Sequence, residues 1–133
     1  MQISLFGPAD AFGLWQLRVG WVLVLAGLVA GLLLGLGFHR EEFLGGYASL
    51  RRRLVRLGHV ALVALGALNV LWAMSASSLG APALAGRLFI AGSFLMPLMC
   101  FLVAWQPKLR LAFAAPALCL VGALGLLASG GVA

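Results

Sequence analysis

Four long apolar stretches, roughly Val19–Phe38, Leu57–Ala76, Leu88–Trp105 and Leu111–Leu127, dominate this 133-residue chain and leave little choice of fold. Each runs for about 17–20 residues, and at about 1.5 Å of rise per residue such a helix approaches the ~30 Å hydrocarbon core of a bilayer. The expectation is an all-α polytopic membrane protein: an up-down bundle of four transmembrane helices forming a single domain over residues 1–133. Only 9% of the residues are charged and 64% are hydrophobic, whereas a soluble domain carries about 25% charged residues. Nearly everything after Asp10 is helix or short connection, which leaves no soluble head with a core of its own.

Charge supplies the orientation. The first connection holds Arg40, Arg51, Arg52, Arg53 and Arg56, and the third holds Lys108 and Arg110, while the opposite side has only Arg18 and Arg87. By the positive-inside rule the richer side is cytoplasmic, so both termini are expected on the outer, periplasmic side. The net charge of +6 does not point to nucleic acid, because the basic residues cluster at helix ends where lipid headgroups lie. Arginine outnumbers lysine eight to one in a chain rich in Ala, Gly, Leu and Val. That usage suggests a GC-rich bacterial genome, hence a bacterial inner-membrane location. Seventeen residues without Lys or Arg precede Arg18, and no A-x-A site follows the first apolar run, so that run reads as helix 1 rather than a cleavable signal.

The connections carry further signals. Asp10 after Pro8 is a candidate N-cap for helix 1, and the preceding Ile3, Leu5 and Phe6 form a short apolar arm suited to the bilayer or a partner. Trp15 and Trp21 are expected near the outer interface, Trp72 at the outer end of helix 2 and Trp105 at the inner interface. In the first loop Gly45-Gly46 breaks the chain, Ser49 is placed to cap, and Leu50, Leu54 and Leu57 recur at helical spacing. Helix 2 should therefore begin near Leu50. Its first turns carry Arg51, Arg52, Arg53 and Arg56, cations that oppose the helix macrodipole. Contacts with anionic lipid headgroups are the expected compensation, with Glu41, Glu42 or an acidic partner as alternatives. Gln106-Pro107-Lys108 is short enough to make helices 3 and 4 an antiparallel hairpin.

Within the spans, four features invite a functional reading. Gly27, Gly31 and Gly35 recur every four residues, with Gly20 seven before Gly27, a small-residue stripe that suits close packing on a partner or on helix 2 or 4. Asn69 is a costly amide in hydrocarbon, and Pro97 frees the carbonyl of Ser93 at nearly the same depth. An Asn69 bond to the Ser93 carbonyl or hydroxyl would set the register of helices 2 and 3; the alternative is a polar substrate or ion site at the Pro97 kink. His39 and His59 lie at the cytoplasmic edge of helices 1 and 2, where they could bind haem b or a quinone. Met96, Met99, Cys100 and Cys119 offer soft sulfur for copper, although methionine and buried cysteine are also ordinary packing residues.

Absences narrow the choice. Asp10, Glu41 and Glu42 are the only acids and none falls in a span, which disfavours proton- or cation-coupled transport. Ser75, Ser77, Ser78 and Ser129 lie toward one face and both histidines toward the other, so no nucleophile–base pair forms and the chain is not expected to be an enzyme alone. The leading expectation is a non-catalytic accessory or scaffolding subunit, surrounded by other membrane subunits of a larger, respiratory-type complex. An electron-transfer subunit using His39 and His59 is the first alternative. A small channel or carrier around Asn69, Ser93 and Pro97 is the second.

Overall fold

The structure, a computed structural model, describes residues 11–76 and 78–130. It is all-helical: α1 spans Ala11–Phe38, α2 Leu50–Ser75, α3 Ala83–Trp105 and α4 Ala114–Gly130, with a 3₁₀ segment Pro107–Phe113 before α4. All four spans, the last counted from Pro107 to Ser129, are long and apolar enough to cross a membrane. The Asp10 cap, the arm with Ile3, Leu5 and Phe6, and Ser77 fall outside the described residues.

Local chemistry sets the boundaries. Ser49 caps α2: its hydroxyl accepts the Arg52 N–H at 3.1 Å and donates to the Leu44 carbonyl at 2.6 Å. One side chain thus starts the helix and ties back the loop. Leu44, Gly45 and Gly46 turn the chain there with φ of 59°, 87° and 87°, a left-handed path that Gly takes freely and Leu does not. At the far end of α2, the Ala81 N–H reaches the Ala76 carbonyl at 2.9 Å around Gly80, and Pro82 opens α3.

The fourth span departs from its expected form. Residues 111–113 belong to the 3₁₀ segment, so regular α-helix starts three residues later than the apolar run. Pro116 has no N–H to give the Ala112 carbonyl, which accepts the Ala114 N–H instead.

Packing follows chain order. α1 lies on α2, α2 on α3 and α3 on α4; α1 barely approaches α3, and among the described residues the α4 backbone comes close to neither α1 nor α2. The helices form an antiparallel row rather than a closed four-helix ring. In the α1–α2 seam the backbones touch: a Cβ on Gly20 would lie 2.8 Å from the Gly66 carbonyl oxygen, and one on Gly66 would lie 2.7 Å from the Val24 nitrogen. Gly27 makes room for Val63 and Gly31 for His59, so most of the glycine stripe is filled by the chain's own second helix. Gly35 is the exception, with nothing near it.

The α2–α3 and α3–α4 seams use side chains instead. Trp72 stacks on Phe89 with ring centroids 4.8 Å apart, in a core with Ala85 and Ala123. Trp72, in the last turn of α2, is 7% exposed and serves the core, while Trp15, Trp21 and Trp105 are open on the surface. Leu120 and Cys119 sit against Gly92, joining α4 to α3.

Candidate functional site

Two buried polar groupings stand out. The first is a clasp across three helices. Asn69 of α2 is fully buried; its amide nitrogen donates to its own helix at Leu65 O, 2.8 Å away, and to the Ser93 hydroxyl of α3 at 2.7 Å. Its carbonyl oxygen accepts from the Gln16 amide of α1 at 3.2 Å. The Ser93 hydroxyl in turn donates to the Phe89 carbonyl at 2.7 Å. Both amide protons of Asn69 and its oxygen are therefore in use, and the Ser93 hydroxyl both donates and accepts.

Ser93 meets Asn69 through its hydroxyl, not through the carbonyl that Pro97 frees. Gln16, 1% exposed, is the member that the reading of the sequence missed, because it precedes the apolar run counted from Val19. A signal was present: Gln16 is four residues before Gly20 and seven before Leu23, on the stripe that faces α2. Gly86 completes the fit, since a Cβ there would come within 3.0 Å of the Gln16 oxygen and 2.7 Å of the Phe12 ring. The clasp has no ionisable group, so it offers packing and register rather than proton transfer.

The second grouping lies at the end of the row where α1 and α3 finish and α2 begins. Arg51 and Arg52 reach in different directions from the first turn of α2. Arg51 Nε donates to the Ala104 carbonyl of α3 at 3.2 Å, with its guanidinium 5.9 Å from the Trp105 ring centroid. Arg52 donates to the Glu41 carbonyl at 3.2 Å and to the Phe38 carbonyl, the last of α1, at 3.5 Å. Its guanidinium also lies over the rings of Phe38 and Tyr47, at 4.6 and 5.4 Å. These contacts answer the dipole problem posed by the sequence. The cations oppose the macrodipole of α2 but sit against the negative C-terminal ends of both antiparallel neighbours, whose orphan carbonyls they satisfy.

The arginines thus divide. Arg52 is 7% exposed and engaged within the chain by the carbonyls of Phe38 and Glu41. Arg53 and Arg56 are exposed. The cost of burying Arg52 is only partly met: its two acceptors are uncharged carbonyls, and its Nε is buried without a hydrogen-bond partner. Beside it opens a cleft of ≈ 780 Å³ lined by Phe38, Glu41, Glu42, Tyr47 and Arg52 together with Gly45 and Gly46.

The remaining candidate residues are dispersed. His59 fits against Gly31, with Nδ1 buried and unpartnered, while His39 is exposed just beyond the end of α1. Eight residues separate Gly31 from His39, about 12 Å along a helix axis. Cys100 packs at Gly58 in the α2–α3 seam, and Cys119 at Gly92 in the α3–α4 seam. Among the described residues no three His, Cys, Asp or Glu side chains come together as a metal site. Comparison with family models, with curated proteins and with solved structures finds no match.

Proposed function

We propose that this chain is an integral membrane protein of the bacterial inner membrane, with both termini outside, serving as a non-catalytic accessory or scaffolding subunit of a larger membrane assembly. The observation that carries this reading is the three-helix clasp, in which both amide protons of Asn69 are used within the chain. The polar side chains of the apolar interior, Gln16, Asn69 and Ser93, are turned on one another instead of lining a path or cavity. A carrier or channel built on Asn69 and Ser93 would need some of that bonding capacity left for its solute.

The open row adds support. α1 exposes Leu25, Leu28, Leu32 and Leu36, and α4 exposes Leu118, Val121 and Leu124, so both flanks are broad apolar surfaces suited to lipid or to neighbouring subunits. The orientation rests on the arginine end facing the cytoplasm.

The test is purification from native membranes in a mild detergent, with co-purifying proteins quantified by mass spectrometry. Stoichiometric membrane partners are the expected result. A clean monomer or homo-oligomer contradicts the subunit reading, and a Soret band that disappears in His59→Ala contradicts the cofactor-free one.

A further inference from the structure

The cleft beside Arg52 has the makings of a ligand site that the clasp lacks. A guanidinium carries five N–H donors, and the carbonyls of Phe38 and Glu41 occupy one on each terminal nitrogen. A positive charge this deeply buried is costly when its direct partners are only carbonyl dipoles and ring faces. An anionic oxygen in the cleft would supply the missing counter-charge. Glu41 and Glu42, both exposed, line the same cleft and would repel a ligand that is purely anionic.

We propose that the cleft binds the headgroup of a zwitterionic aminophospholipid, phosphatidylethanolamine, with the phosphate toward Arg52 and the ammonium toward Glu41 and Glu42. A primary ammonium has three donors for the two carboxylates, whereas the quaternary group of choline has none. Choline would instead seek aromatic faces, and Arg52 already lies over Phe38 and Tyr47. The lipid, rather than a free aminophosphate, follows from position: the cleft sits where α1 ends and α2 begins, at headgroup level for an inserted chain. This rests on membrane insertion, which incorporation into a lipid disc reports separately.

The test is reconstitution of the full chain into nanodiscs of equal phosphatidylethanolamine, phosphatidylglycerol and phosphatidylcholine, followed by native mass spectrometry of the lipid retained. Wild type should retain phosphatidylethanolamine about ten-fold over either competitor, a difference typical of one charged contact. Arg52→Gln should lose that retention. Because Arg52 also holds the loop, Glu41→Gln/Glu42→Gln is the second variant; it leaves the backbone acceptor of Arg52 in place. That double variant should lose the preference and shift toward phosphatidylglycerol. Equal retention of all three lipids by wild type would overturn the proposal, as would unchanged selectivity in the double variant. Displacement of the bound lipid by millimolar soluble phosphoethanolamine would overturn the lipid as the source while keeping the headgroup chemistry.

Discussion

The clasp and the arginine end bury polar groups to opposite effect. At Asn69 the amide protons and the oxygen are engaged by groups of three helices inside the chain, with no charge among them. At Arg52 a full charge is held by carbonyls and ring faces, with one nitrogen left over. A matched group fixes geometry and has nothing to offer a ligand; an unmatched one is a standing cost that a ligand can remove. The same chain thus holds a closed polar site deep in its apolar region and an open one at its edge.

The largest effect should come from breaking the seam on which the clasp depends. Gly66→Val would drive a side chain into the Val24 nitrogen and the Gly20 carbonyl, both backbone, so neither can rotate away. It should cost about 3 kcal/mol or prevent α1 from docking, read by melting in detergent. Retention of wild-type stability would mean that α1 and α2 do not meet at these glycines.

Next in size is the arginine end. Arg52→Gln should cost about 2 kcal/mol, since it removes charge-assisted bonds to the α1 terminus and packing on two rings. The exposed Arg53→Gln should stay within about 0.5 kcal/mol of wild type. Equal losses from the two would show that the charge of the cluster matters and the buried position does not.

The clasp itself should yield less. Asn69→Leu should cost about 1 kcal/mol, in the range measured for hydrogen bonds between membrane helices. Adding Gln16→Leu should restore part of that loss, because removing both partners spares the cost of a buried amide left alone. Simple additivity of the two would contradict their pairing. The smallest effect, and of opposite sign, belongs to Gly35→Ala: nothing lies near that position, so the helix should gain about 0.5 kcal/mol.

Much of the fold was readable because its cues are local. Apolar runs of span length, the Ser49 cap and the Gly45-Gly46 break need only neighbouring residues. The Asn69–Ser93 bond was reached by counting depth along two hairpin-linked helices. What escaped depends on rotation and lateral placement. These helices are apolar nearly all round, so periodicity does not say which face turns inward. The inward turn of Trp72 and the absence of α4 from the flank of α1 were not visible in the sequence. The burial of Arg52 escaped for a related reason: four clustered arginines look alike until the ends of two other helices are placed beside them.

The most direct test of closed against open is a set of thermal melts in nanodiscs with and without phosphatidylethanolamine, on wild type, Asn69→Leu and Glu41→Gln/Glu42→Gln. A ligand that binds only the folded state raises its Tm whatever the baseline. Wild type and Asn69→Leu should gain the same increment from different starting points, and the glutamate variant should start near wild type and gain nothing. An increment that vanishes in Asn69→Leu, or persists without the two glutamates, would contradict the division of labour between the clasp and the cleft.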